Sequence, residues 1–320
     1  MMKKISFLML LLSVLTAGAA ELFTHDVKTE KKPWTHTNFQ NRADEFSFII
    51  IPDRTGGERK KSIWAEALKK ANMFHPDFII TVGDLIEGIN KPHLLTKERM
   101  EAQVSELRKI TEKSAAPFFY LAGNHDISRT RKGFPKVNEM GAEIWKKNFG
   151  VTYYSFVYKN VLFICLDQQE GRDSRQEQCG LTPEQTEWAL NTLKKHSGVR
   201  WTIIFVHSPW TWCEEPFSRI EKAMADRDYT VFSGDFHFYT KYRFYNRDYY
   251  QLATAGGASA MRGTNYGEFD HLTYVTMTEK GPEVVNILLD GILNENILPA
   301  ENSNHPKVKR VLEVHKEKTR

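Results

Sequence analysis

The chain has 320 residues, of which 41% are hydrophobic and 26% are charged, and it contains 19 glycines and 12 prolines. This composition excludes a collagen-like chain, a low-complexity chain and a small disulfide-stapled domain. A chain of this length can bury most of its apolar surface in one large α/β domain or in two smaller domains.

The net charge of +4 comes from the two ends of the chain. Two lysines lie near the N-terminus, and residues 305–320 contain six basic and two acidic residues, whereas residues 21–304 contain 36 basic and 38 acidic residues. Nucleic-acid-binding domains usually carry their basic excess on a folded face. We therefore expect no nucleic acid polymer as a partner. The basic tail could meet an acidic membrane surface or remain solvated.

The first 20 residues have the order of a secretory signal peptide. Two lysines precede an apolar run from Ile5 to Leu15, and small residues follow up to position 20. Because the run is shorter than the roughly 20 residues that a bilayer span needs, we expect cleavage after Ala19 or Ala20 and export to the periplasm or the medium. An uncleaved anchor is the alternative. No later segment is apolar enough to predict a transmembrane segment in the mature chain.

The three cysteines give an odd count. Cys165 lies in an apolar strand pattern, which is typical of a buried thiol. Cys179 and Cys213 lie in loop-like sequence and could form a disulfide in an oxidising compartment or remain free.

In the first part of the body, strands and helices alternate. Apolar periodicity predicts strands over 46–52, 78–82 and 118–121, with helices over 58–72 and 98–113 between them. Such alternation favours βαβ units around a largely parallel sheet whose two faces are both covered.

After residue 150 the strands come closer together. A hairpin is predicted over 153–158 and 161–167, then a helix over 184–196 and a strand over 201–206, and finally strands over 229–233, 239–245, 249–254, 271–277 and 283–289. We expect an α/β fold in which two sheets pack face to face with helices outside, in one domain over 41–290. Irregular extensions at 21–40 and 291–320 would wrap this domain or fray.

Polar residues that can bind metal appear where five apolar strand runs stop. The runs end at 53–57, 83–88, 123–126, 207–209 and 234–237. Ligands of open α/β sheets bind beyond the carboxyl ends of the strands, and carboxylate, amide and imidazole groups suit divalent cations. Taken singly, each of these segments can be explained without a metal site. Gly-Asp after a strand is often only a turn, and His207 could be a core histidine.

The order of these runs resembles the calcineurin-like metallophosphoesterase superfamily. Its motifs are Asp-x-His, Gly-Asp-x-x-Asp, Gly-Asn-His-Asp/Glu, a lone His and Gly-His-x-His, and the resemblance spans about residues 46–257, with Gly-Asn-His-Asp at 123–126 as its most specific part. It implies a four-layer α/β/β/α sandwich with two mixed sheets and a two-metal centre.

The resemblance also assigns roles to single residues. It implies that Asp53 and His237 bind the first metal, that Asp84 bridges both metals, and that Asn124 and His207 bind the second. His125, held by Asp126, would lie beside the metals and donate a proton to the leaving oxygen or stabilise the charged transition state.

The sequence departs from the family pattern at two ligand positions. Thr55 stands where the first motif has its His, and Asp235 stands where the last motif has its first His. Thr is a poor ligand, so the first site would be weak, whereas Asp235 can bind the second metal through oxygen. Compared with the pattern, this ligand set is harder and more negative, which favours Mn, Mg or Fe over Zn. Glu87 in place of the second motif's Asp is a milder change.

These motifs predict an exported metal-dependent phosphohydrolase that cleaves a small phosphoester by attack of a metal-activated hydroxide. The alternative is a metal- or phosphate-binding protein that has lost catalysis because of Thr55. Arg54 could contact the phosphate or be a surface residue, and the backbone N–H groups of Gly56 and Gly57 could approach an anion.

Trp210 and Trp212 follow His207 closely and could stack on a base, sugar or lipid portion of the substrate. The sequence leaves open the substrate alcohol, the choice between phosphomonoester and phosphodiester, and the oligomeric state.

Overall fold

The computed structural model of the protein describes residues 23–39, 45–88, 96–127, 135–169, 180–209, 214–293 and 303–318. The predicted signal peptide, Cys179, Cys213, Trp210 and Trp212 lie outside the described residues.

The described strands and helices follow one another in a largely alternating order. The strands are β1 (Phe23–His25), β2 (Phe46–Ile51), β3 (Phe78–Thr81), β4 (Phe118–Phe119), β5 (Tyr154–Tyr158), β6 (Val161–Cys165), β7 (Trp201–Phe205), β8 (Tyr229–Ser233), β9 (Thr240–Phe244), β10 (Arg247–Gln251), β11 (His271–Thr278), β12 (Gly281–Leu288) and β13 (Gly291–Leu293). The helices are α1 (Lys61–Met73), α2 (Lys97–Thr111), α3 (Pro135–Phe149), α4 (Pro183–Lys195), α5 (Glu214–Ala223) and α6 (Pro306–Lys318).

The strands form two mixed sheets. A six-stranded sheet has the order β13-β12-β11-β2-β3-β4, in which β2, β3 and β4 are parallel. A seven-stranded sheet has the order β1-β5-β6-β7-β8-β10-β9, in which β6, β7, β8 and β10 are parallel. Parallel neighbours place their carboxyl ends at the same edge of a sheet, so each sheet presents one such edge to a ligand.

Alternating residues of each strand divide the core into three layers. The inner faces of the two sheets meet through aromatic rings, with Phe48 stacked on Phe78 at 5.0 Å and Phe163 of the other sheet edge-on to Phe78 at 5.3 Å. On the outer faces, α1, α2 and α3 cover the six-stranded sheet, while α4, α5 and α6 cover the seven-stranded sheet. The predicted four-layer α/β/β/α sandwich is confirmed.

Every strand and helix predicted from the sequence is present, with ends within a few residues of the prediction. Three helices, α3, α5 and α6, and two short strands, β1 and β13, were not predicted; β1 pairs with β5 in a segment that we expected to be irregular. Helix α6 lies in the basic tail, where the sequence led us to expect an irregular segment. Val308, Val311 and Val314 recur at helical spacing and are buried against the outer face of the seven-stranded sheet, which explains why the tail folds there.

The thiol of Cys165 is buried and free, as predicted, and burial raises its pKa to about 12. Among the described helices, none combines the length and the apolarity that a membrane crossing requires.

Candidate metal centre

Six potential metal ligands follow the carboxyl ends of five parallel strands. Each sheet supplies three of these ligands. Asp53, Asp84 and Asn124 follow β2, β3 and β4, whereas His207 follows β7 and the pair Asp235 and His237 follows β8. One ligand atom from each of Asp53, Asp84 and His207 lies within 4.8 Å of the others, and all three residues are buried. The two sheet edges therefore converge on one cluster.

Three of these residues have a left-handed backbone conformation. The φ angles of Asp84, Asp235 and His237 are 55°, 69° and 55°. Such angles are uncommon outside glycine, and local strain of this kind is concentrated at functional sites. The tight turns begin immediately after the strands end, so they place the side chains at the sheet edge.

Asp53 and His237 form the first half of the cluster. Asp53 Oδ2 accepts a hydrogen bond from the Asp235 amide at 2.9 Å and lies 3.3 Å from His237 Nε2. His237 Nδ1 faces the Ala258 carbonyl oxygen at 2.5 Å, so Nδ1 donates and Nε2 is the nitrogen turned toward Asp53.

Asp53 Oδ1 and His237 Nε2 are buried and make no hydrogen bond within the described part of the chain. Burial raises the pKa of Asp53, although His237 and His207 partly oppose this. A buried carboxylate oxygen without a hydrogen bond is costly in a protein interior, and so is a buried imidazole nitrogen whose only described contact is the 3.3 Å approach to Asp53 Oδ2. A cation between them would satisfy both.

Asp84, Asn124 and His207 form the second half. His207 Nδ1 lies 2.7 Å from the Val82 carbonyl oxygen and must donate to it, which leaves Nε2 facing the cluster, 3.3 Å from Asp84 Oδ1. The Asn124 amide lies 3.0 Å from His207 Nε2 and 3.2 Å from Asp84 Oδ1. If the amide oxygen of Asn124 faces Asp84 and His207, it is a further acceptor that could bind a cation. If the amide nitrogen faces them instead, it donates a hydrogen bond to Asp84.

The charges of this half depend on each other. Burial would raise the pKa of Asp84, but His207 and His125 outweigh burial and hold that pKa well below its usual range. Burial would lower the pKa of His207, but Asp84 outweighs it and raises that pKa well above its usual range. Without metal, the cluster thus favours a proton on the imidazole nitrogen that a metal ion would otherwise occupy.

Asp235 is held by a residue that sequence reasoning missed. Ser208 Oγ donates to Asp235 Oδ2 at 2.8 Å, while Asp235 Oδ1 lies 3.8 Å from His207 Nε2. Gln168, at the end of β6, accepts from the Ser208 amide at 2.9 Å, and its own amide nitrogen is buried without a partner in the described chain. Asp-Gln-Gln at 167–169 is also a polar strand end, and that was the available signal.

His125 lies beside the cluster, with Nε2 3.9 Å from Asp84 Oδ2. Its Nδ1 faces the Glu87 carbonyl oxygen at 3.1 Å, so that carbonyl, and not Asp126 as we expected, orients the imidazole. The Asp126 carboxylate instead accepts from the amides of Leu85, Ile86 and Gly123 at 2.8–3.0 Å. Asp126 therefore joins the two loops that carry Asp84 and His125, because buried amides require acceptors. Burial and the charge of Asp84 raise the pKa of Asp126 to about 7.

Thr55 is buried, and its hydroxyl group hydrogen-bonds to backbone carbonyl oxygens. Thr55 Oγ1 lies 2.8 Å from the Ile86 carbonyl oxygen and 3.1 Å from that of Asp84, and it can donate its proton to either. Glu87 likewise serves the backbone, since its carboxylate accepts from the amides of Gly57 and Glu58. The backbone N–H of Gly57, which we considered from the sequence as an anion-binding group, therefore already donates to Glu87.

Arg54 is placed away from the cluster. Its guanidinium is buried and pairs with Glu58 at 3.2 Å and with Glu106 at 3.1 Å. A third contact reaches the Leu85 carbonyl oxygen at 3.4 Å. Arg54 is therefore neither the phosphate contact nor the surface residue that we considered from the sequence. It links the first motif loop to α2.

The donor set suits a divalent cation. It combines the carboxylates of Asp53, Asp84 and Asp235 with two imidazole nitrogens and an amide, and oxygen donors of this kind favour hard or borderline metals. The buried group of Asp53, Asp84 and His207 could hold a metal ion.

Comparisons with known proteins agree with this arrangement. A model of the calcineurin-like phosphoesterase family matches residues 46–255. Among solved structures, GAP50, the anchor in the inner membrane complex of Plasmodium, is 12% identical, with 85% of this chain and 95% of that chain covered and a TM-score of 0.50. At this identity the similarity shows the fold alone.

Two 5'-nucleotidase structures are also similar. A putative 5'-nucleotidase from Staphylococcus aureus is 14% identical, with 85% of this chain and 58% of that chain covered and a TM-score of 0.44. A 5'-nucleotidase from Candida albicans is 13% identical, with coverages of 88% and 59% and a TM-score of 0.42. The chain thus spans less than two thirds of either nucleotidase. No curated protein matches it. The family match covers the five strand ends that form the cluster, and the chain belongs to the calcineurin-like phosphoesterase family.

Proposed function

We propose that this protein is an exported, metal-dependent phosphoesterase that hydrolyses a small phosphoester. The observation that carries the proposal is the convergence of buried ligands from both sheets beside His125, in a chain that belongs to the calcineurin-like phosphoesterase family. Asp53 Oδ1, which is buried and makes no hydrogen bond within the described part of the chain, supports metal binding independently of the family match.

The ligands divide into two groups that could each hold an ion. Asp53, Asp84 and His237 would hold the first, and Asp84 together with Asn124, His207 and Asp235 would hold the second. Divalent ions bound there would lower the pKa of a water molecule toward neutrality and neutralise phosphate oxygens. The surplus of oxygen donors favours Mn, Mg or Fe over Zn.

His125 is the group placed to move a proton. Its Nδ1 donates to the Glu87 carbonyl, which orients the ring and turns Nε2 toward the ligand cluster, where it would exchange a proton with the substrate. Nε2 lies 3.9 Å from Asp84 Oδ2, at the edge of the ligand cluster. A proton carried on Nε2 would pass to the oxygen of the departing alcohol.

The first motif loop leaves room for the reacting group. A methyl group placed on Gly56 would lie 2.7 Å from His237 Cε1 and 3.6 Å from His125 Nε2. Glycine at this position therefore keeps the backbone close to both imidazoles without filling the space between them. A substrate phosphate would bind in the space that this glycine leaves.

The proposal is tested by removing metals with a chelator and restoring Mn, Mg, Fe(II), Zn or Ca one at a time. We expect hydrolysis of an aryl phosphomonoester or phosphodiester to be lost on stripping and to return with Mn, Mg or Fe(II). Asp84→Asn and His125→Ala should each lower kcat at least a hundredfold. Asp248→Asn, a change of the same kind at a surface ion pair on β10, should leave activity unchanged.

Two outcomes would count against the enzyme. Activity retained in both Asp84→Asn and His125→Ala would contradict the site. Metal binding without hydrolysis under any metal would favour the binding-protein alternative, which the use of the Thr55 hydroxyl by backbone carbonyls supports because it leaves the first site three protein ligands.

Export rests on the first 20 residues alone. Mass spectrometry of the protein recovered from the exported fraction of its cells should give a mature N-terminus at residue 20 or 21. An intact N-terminus in that fraction would refute cleavage.

A further inference from the structure

Helix α6 lies outside the family match but is firmly attached to the domain. The match ends at residue 255, whereas α6 begins at Pro306. Val308, Val311 and Val314 are at most 2% exposed, and the helix packs beside β9. Burial of these three valines stabilises the packing of the helix through the hydrophobic effect. The first turn of α6 therefore has a fixed position relative to the sheet.

That first turn reaches the loop that carries two candidate metal ligands. Lys307 Nζ lies over the ring of Phe236, 4.5 Å from its centroid. Phe236 is the residue between Asp235 and His237, and it is 7% exposed. A cation held on this ring is within electrostatic reach of the ligands on either side.

The ammonium group of Lys307 lies close to Asp235, because Asp235 is the direct neighbour of Phe236 in the chain and Lys307 Nζ sits over the Phe236 ring. Asp235 is also the position at which the chain replaces a neutral histidine of the family pattern with a carboxylate. The extra negative charge and the nearby ammonium thus occur together in this chain.

We propose that Lys307 is an electrostatic component of the metal centre, supplied by the C-terminal helix to offset the carboxylate of Asp235. Its positive charge weakens the attraction of the ligand cluster for cations and strengthens the attraction of the occupied site for a phosphate-like anion. Lys307 acts through Asp235 and the local field, so it is a positioning residue and not a catalytic one. The anion-binding half of this inference rests on the proposed function; the metal-binding half does not.

The test compares Lys307→Gln with Lys309→Gln, which removes the same charge from an exposed position on the same helix. Calorimetric titration of Mn²⁺ into metal-stripped protein gives the first readout, and titration of inorganic phosphate into Mn²⁺-saturated protein gives the second. The size of the effect is that expected for one charge several Å away, in a medium with a dielectric constant between those of protein and water. We expect Lys307→Gln to bind Mn²⁺ about threefold to tenfold more tightly than the wild type. It should bind phosphate more weakly by a similar factor. Lys309→Gln should change either affinity less than twofold, and Lys307→Arg should behave as the wild type.

The opposite signs separate this role from a structural one. A variant that merely loosens α6 would lower the melting temperature and weaken both ligands together. Unchanged or weaker Mn²⁺ binding by Lys307→Gln at an unchanged melting temperature would overturn the inference. If the wild type binds Mn²⁺ but hydrolyses no phosphoester, the proposed function fails while the Mn²⁺ comparison still decides the role of Lys307.

Discussion

Replacing Ser208 with alanine should weaken divalent metal binding about tenfold or more while the fold is retained. The Ser208 hydroxyl donates to Asp235 Oδ2 at 2.8 Å, which leaves Oδ1 as the oxygen nearer to His207. A hydrogen bond to a charged group contributes about 1.5–3 kcal/mol, and 1.4 kcal/mol corresponds to a factor of ten in affinity. Loss of a residue that orients a metal ligand typically lowers metal affinity by about 10- to 100-fold.

Calorimetry with Mn²⁺ on metal-stripped protein measures this effect directly. Ser233→Ala is the matched control, because the Ser233 hydroxyl donates to the Tyr250 carbonyl at 3.2 Å and does not contact the ligand cluster in the described structure. The control should bind Mn²⁺ as the wild type does. Equal affinities for Ser208→Ala and the wild type, at matched melting temperatures, would refute the view that Ser208 holds Asp235 for the metal.

Three further substitutions test other parts of the structure. In Gly56→Ala, the new methyl group would lie 2.7 Å from His237 Cε1 on a residue with a φ of 83°. This variant should lose more than about tenfold in phosphoester hydrolysis, while its melting temperature falls by only a few degrees. Full activity would contradict the close approach. Thr55→Val should cost about 1 kcal/mol in urea unfolding and leave Mn²⁺ affinity within about twofold, whereas a loss of tenfold or more would mean that Thr55 is a ligand. His271 is buried, with its pKa lowered to about 3, so the unfolded chain takes up its proton first as pH falls below about 6.5. The wild type should therefore lose about 2 kcal/mol between pH 7 and pH 5 that His271→Gln does not lose, and parallel stability curves for the two proteins would exclude a neutral buried His271.

The strands and the positions of the ligands were predictable because both depend on local patterns. Apolar runs such as Phe46–Ile51 are short, strongly hydrophobic and bounded by Gly or Asp, and buried strands of parallel sheets have this form. The ligand residues follow these runs directly, so predicting the strands also located the potential ligands.

The orientation of the side chains near the cluster was not predictable, since it depends on partners distant in sequence. The guanidinium of Arg54 pairs with Glu106, 52 residues away in the sequence, and not with a group at the site. The carboxylate of Asp126 accepts from backbone amides about 40 residues away. Helix α6 has a modest apolar stripe whose burial requires the outer face of a sheet formed by earlier residues. The valines at helical spacing are a local signal for the helix, but the surface that they pack against and the approach of Lys307 to Phe236 are not visible in the sequence.

The equal division of the candidate ligands between the two sheets would give a bound metal ion a mechanical role in addition to the chemical role proposed for it. Asp53, Asp84 and Asn124 are attached to strands of one sheet, while His207, Asp235 and His237 are attached to strands of the other. An ion shared between these groups would cross-link the sandwich at one edge, much as a disulfide joins distant segments, and would resist sliding of one sheet over the other. Release of the ion would then change the rigidity of the whole sandwich as well as the chemistry at its edge.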